Sequence, residues 1–109
     1  MSPIKLFSTV RLEEPNVVAY NLIYNQIKEL IFKGFEVWNE EADSKEITMP
    51  YQRGLNKEIS NIFTKEQYIE YMLLLFDELS RYEHISHNYD DPSKHELWYI
   101  YDTMIMARP

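Results

Sequence analysis

Apolar side chains recur at helical intervals between residues 20 and 31. Tyr20, Ile23, Tyr24, Ile27, Leu30 and Ile31 share one stripe, and Asn21, Asn25, Lys28 and Glu29 lie off it. Glu13, Glu14 and Pro15 suit the start of this helix, because proline tolerates the first helical position and acids favour the positive dipole end. Lys33 and Gly34 read as its end, a basic last turn followed by a residue at ease in the left-handed cap. A second helix opens at Thr64, where Thr64 and Gln67 have capping-box spacing, and is expected to run to about Tyr82. Ile69, Met72, Leu73, Phe76 and Leu79 form its core stripe. Tyr68, Tyr71, Leu75 and Tyr82 form another on the neighbouring face.

The remaining segments read as strands or loops. Residues 4–12 alternate, with Ile4, Leu6, Ser8, Val10 and Leu12 on one face, and predict a first strand. Residues 35–39 and 45–49 also alternate and flank a polar turn, so they read as a hairpin ended by Pro50. Residues 51–63 suggest a loop and a short helix. Residues 84–95 form a polar loop. The aromatic and β-branched content of residues 97–106 favours a strand, the competing reading being a helix capped by Asp91 with Pro92 at its first position. The resulting order predicts one α+β domain over residues 1–109. Its antiparallel sheet would carry two main helices on one face, in the βαββαβ order of ferredoxin-like folds. That fold hosts many unrelated activities and assigns none.

Composition narrows the function classes. The chain of 109 residues has no cysteine, which removes disulfides, thiolate metal sites and cysteine nucleophiles, and points toward a reducing, cytoplasmic setting. The longest apolar run, Met72–Phe76, is far short of the roughly 20 residues that cross a bilayer. The formal charge is −7. Residues 1–65 hold 9 acids and 8 bases, whereas residues 66–109 hold 9 acids and only 3 bases. An acidic half of this kind does not bind nucleic acid by displacing counterions from phosphates, and it does not dock on an anionic membrane. It suits a basic protein surface.

Enzyme signatures are absent: two glycines leave no phosphate-cradling loop, and there is no nucleophile elbow. His84, His87 and His95 fall in one short window with Asp90, Asp91 and Glu96, a residue set able to ligate zinc, iron or manganese, although the spacing matches no mechanistic motif. On the second helix Tyr68, Tyr71 and Tyr82 stand beside Glu70 and Glu78. Aromatics provide interface anchors and carboxylates steer a basic partner, so these five are the expected contacts. The expectation is a small acidic non-enzymatic protein that docks on, and inhibits or modulates, a basic or nucleic-acid-handling protein. Its composition is compatible with small phage inhibitors and immunity proteins, and it needs no cofactor. The alternative is a metal-binding domain or small metal-dependent enzyme built on His84, His87 and His95. A third reading is a homodimer through the second helix.

Overall fold

The computed structural model describes residues 13–41, 43–50 and 62–109. Three helices dominate: α1 (Glu13–Glu40), α2 (Lys65–Ser86) and α3 (Lys94–Ala107). They are joined by a small antiparallel sheet of β1 (Glu46–Thr48) and β2 (Ile62–Thr64). In the sheet Glu46 faces Thr64, Ile47 faces Phe63 and Thr48 faces Ile62. The described residues thus form an α+β arrangement that is mostly helical. The expected strand over residues 4–12 lies outside them, as does most of the expected short helix over residues 51–63.

Helix α1 does not stop at Gly34. A glycine inside a helix costs about 1 kcal/mol relative to alanine, so its presence needs a packing reason. A Cβ at position 34 would lie 2.9 Å from the Met72 sulfur and 3.0 Å from the Met49 sulfur, and both methionines are buried. The missing side chain lets α2 and the segment after β1 press onto the α1 backbone, where the Tyr68 hydroxyl donates to the Gly34 carbonyl at 2.9 Å. The helix then carries Phe35, Val37 and Trp38 to its last turns, all half-buried against the core. Residues 35–39 are therefore helix and not the first arm of a hairpin. The second arm is correct in kind, since residues 46–48 are a strand, but its partner is β2.

The capping box forms as the spacing requires. Thr64 Oγ1 accepts the Gln67 N–H at 3.2 Å, and Gln67 Oε1 accepts the Thr64 N–H at 3.0 Å. The α2 helix runs past Tyr82 to Ser86 and ends at His87, whose backbone is left-handed (φ 62°, ψ 36°) and donates to the Glu83 carbonyl. Helices α1 and α2 lie antiparallel, with Gly34 beside Tyr68 at one end and Tyr20 beside Tyr82 at the other, ring centroids 5.5 Å apart.

The last segment is α3, a helix rather than the favoured strand. Leu97, Ile100 and Met104 are its buried residues, at helical spacing, and they close the core formed by Tyr24, Ile27, Leu30 and Ile31 of α1 with Tyr68, Met72, Leu75 and Leu79 of α2. With residues 35–39 and 97–106 both helical, the sheet has two strands among the described residues, and the βαββαβ order is not the one observed.

Candidate functional site

The α2 residues expected to meet a partner are mostly engaged within the fold. Tyr68 is fully buried, in edge contact with Phe63, and burial pushes its hydroxyl's pKa above the usual tyrosine range. It is part of the hydrophobic core. Tyr71 stacks on Phe63 with centroids 5.1 Å apart, and Tyr82 packs on Tyr20. Both are half-buried, because the second stripe of α2 faces α1 and the sheet. Glu70 is exposed, and its two carboxylate oxygens accept from Arg108 Nε and Nη2 at 2.8 and 2.9 Å. That pairing lowers the Glu70 pKa and raises that of Arg108. Glu78 pairs with Arg81 at 3.1 Å.

The three histidines also separate. His84 lies in the last turn of α2, its ring 5.6 Å from that of Tyr89. His87 supplies the left-handed cap and lies near the same tyrosine, at 6.1 Å. His95 is on the exposed side of α3. No group of three or more histidine or carboxylate side chains able to hold a metal ion occurs among the described residues.

Asp91 was expected as a metal-loop neighbour or helix cap, and the structure gives it a larger part. Its Oδ1 accepts the Ser93 N–H at 2.8 Å and the Ser93 hydroxyl at 2.7 Å, which starts the turn into α3. Its Oδ2 accepts the Tyr24 hydroxyl at 2.6 Å and the Lys28 ammonium at 2.8 Å, tying that turn to α1. Burial alone would raise the Asp91 pKa. The hydrogen bonds from Lys28, Tyr24 and Ser93 outweigh it and hold the carboxyl well below its usual range. The Tyr24 hydroxyl moves the other way, raised by burial and then by the carboxylate beside it. Lys94 adds a clamp, pairing with Glu83 of α2 and donating to the Tyr89 carbonyl at 3.1 Å. These contacts fix the position of α3.

So anchored, α3 presents an apolar outer face. Trp98 is 58% exposed, Tyr99 65% and Met106 84%, with Ile105 beside them. Trp98 and Ile105 form one row and Tyr99 and Met106 the next, both seven residues apart, with His95 and Asp102 between the rows. Four of the ten large exposed apolar side chains among the described residues fall in these nine positions. The Tyr99 ring is braced edge-on against Phe35, centroids 6.1 Å apart. Composition near residue 98 carried this signal, but a strand reading would have split these residues between two faces.

The charge around this face is negative. All three bases of residues 66–109 are neutralised by acids: Arg81 by Glu78, Lys94 by Glu83 and Arg108 by Glu70. Glu66, Asp77, Asp90, Glu96 and Asp102 remain exposed without a basic partner among the described residues. Beside the face, between α2 and α3, a half-open cleft of about 240 Å³ is lined by Phe76, Asp77, Ser80, Trp98 and Tyr101, with Tyr24 and Leu97 deeper in. No helix among the described residues is long and apolar enough to cross a membrane. No protein-family model matches the chain, and neither the curated proteins nor the solved structures contain a significant match to it.

Proposed function

We propose that this chain is a small acidic, non-enzymatic binding protein that docks through the outer face of α3 on a basic, nucleic-acid-handling protein and inhibits or modulates it. The observation that carries the reading is the set of Trp98, Tyr99, Ile105 and Met106 exposed together on a helix that Asp91 and Lys94 hold in place. Large aromatic and methionine side chains are enriched at protein interfaces, and Trp and Tyr are the commonest energetic anchors there. A helix already ordered before encounter loses little further entropy on binding. The five acids without a basic partner among the described residues, with the overall charge of −7, supply the field that steers a basic surface toward this face. The same charge opposes direct binding to nucleic acid or an anionic membrane. The cysteine-free composition supports a cytoplasmic setting.

The test is a side-by-side capture from host lysate with the wild-type chain and a Tyr99→Ser/Met106→Ser variant, at about 0.1 M and about 1 M salt, where the screening length falls from about 10 Å to about 3 Å. The expected result is one basic partner held by the wild type, weakened at high salt and lost with the variant. A partner retained equally by both proteins overturns the assignment of the face.

A further inference from the structure

We propose that the cleft between α2 and α3 receives an arginine side chain of the docked partner. The inference rests on the docking reading and gives it a chemical centre. Four aromatic rings line the cleft: Tyr24 of α1 at its buried end, Phe76 of α2, and Trp98 and Tyr101 of α3. Tyr101 meets Phe76 edge-on at 5.3 Å and 75°, and meets Trp98 edge-on at 6.0 Å and 90°. The electron-rich face of an aromatic ring attracts a cation, so a cleft lined by such rings favours a positively charged guest.

The charges in the lining agree. Asp77, Glu83 and Lys94 are its ionic side chains. Lys94 is held by Glu83 and by the Tyr89 carbonyl, so the two cancel. Asp77 is left, exposed and without a basic partner among the described residues. Among the described residues, a cation entering the cleft therefore finds aromatic walls and one free carboxylate, and an anion finds no free positive charge. The volume, about 240 Å³, is below the roughly 300–1,000 Å³ typical of sites for whole small molecules, and suits one long side chain. Arginine fits better than lysine, because its planar guanidinium stacks on rings while donating in the plane to a carboxylate. Trp98 belongs both to the cleft and to the outer face, so a partner lying on α3 can place an arginine there without a second contact surface.

The test uses the full chain, labelled so that its two tryptophan indole N–H groups are resolved by NMR, and titrated with N-acetyl-argininamide at about 0.1 M salt. Trp98 lines the cleft, and Trp38, whose indole N–H is buried, is the internal control. The expected result is a saturable shift of the Trp98 indole, no shift of Trp38, and much weaker binding of the neutral isostere N-acetyl-citrullinamide. Asp77→Asn, a change at an exposed position, weakens arginine binding by up to about fivefold and leaves citrulline binding unchanged. Tyr101→Leu weakens arginine binding by roughly two- to fivefold. Equal binding of the two probes, a shift shared by Trp38, or an unaltered Asp77→Asn titration overturns the proposal. The docking reading is tested separately through Tyr99 and Met106, which do not line the cleft. Capture lost with those changes, together with an Asp77→Asn argininamide titration identical to wild type, sinks the arginine site alone.

Discussion

Replacing Asp91 by alanine removes the acceptor on which four donors converge: the Tyr24 hydroxyl, the Lys28 ammonium, and the N–H and hydroxyl of Ser93. The Asp91 side chain is only 4% exposed and that of Lys28 20%, so solvent replaces little of what is lost. Removing one partner of a buried ion pair costs about 3–5 kcal/mol, most of it the penalty of an uncompensated charge. Lys28 can turn partly to water, which places the expected loss near the lower end, about 3 kcal/mol. Against a total of roughly 5–15 kcal/mol for a domain of this kind, that is a large fraction. Urea denaturation reads it directly: with a slope of about 1–3 kcal/mol per molar, the midpoint falls by about 1–3 M. The pH dependence supplies a second readout. The folded-state pKa of Asp91 is depressed, so its contribution is fully present above the unfolded carboxyl value of about 4 and is lost as pH falls through the folded value. The gap between wild type and variant therefore stays constant from about pH 7 to pH 5 and narrows below about pH 4. A loss under about 1 kcal/mol at pH 7, or a gap that widens in acid, would refute the claim that this carboxylate fastens α3 to α1.

Two further changes probe helix ends, each followed by urea denaturation. Thr64→Ala breaks the capping box and is expected to cost about 1 kcal/mol; no change would mean that solvent satisfies the first turn of α2 equally well. His87→Gly relieves a left-handed backbone that glycine adopts freely and is expected to stabilise by about 1 kcal/mol, whereas a histidine serving a structural metal would destabilise on removal.

The parts of the fold legible in the sequence were those with a strong local signature. The Thr64/Gln67 spacing gave the start of α2, and the stripe from Tyr20 to Ile31 marked α1, of which Tyr24, Ile27, Leu30 and Ile31 are buried. The misreadings share a cause, a local cue overridden by tertiary packing. Gly34 looked like a terminator, yet its role is to admit two methionine sulfurs and the Tyr68 hydroxyl to the α1 surface. The composition of residues 97–106 favoured a strand, but Leu97, Ile100 and Met104 already had the helical interval, and the Asp91–Pro92–Ser93 turn supplied the start. The burial of the candidate contacts on α2 was hidden for the same reason. Aromatic spacing showed that Tyr68, Tyr71 and Tyr82 shared a face, but only the position of α1 and β2 shows that this face is covered. The exposed row on α3 becomes visible once the segment is known to be helical.

Hydroxyl-radical footprinting of the chain, free and saturated with the captured partner, tests the docking face most directly, since methionine, tryptophan and tyrosine are its reporters and exposed methionine oxidises readily. The account predicts rapid oxidation of Trp98, Tyr99 and Met106 in the free protein and strong protection of all three in the complex, with Val18 and Leu22 on α1 reacting equally in both. Protection at Val18 and Leu22, with Trp98, Tyr99 and Met106 still oxidised at the free rate, would contradict it.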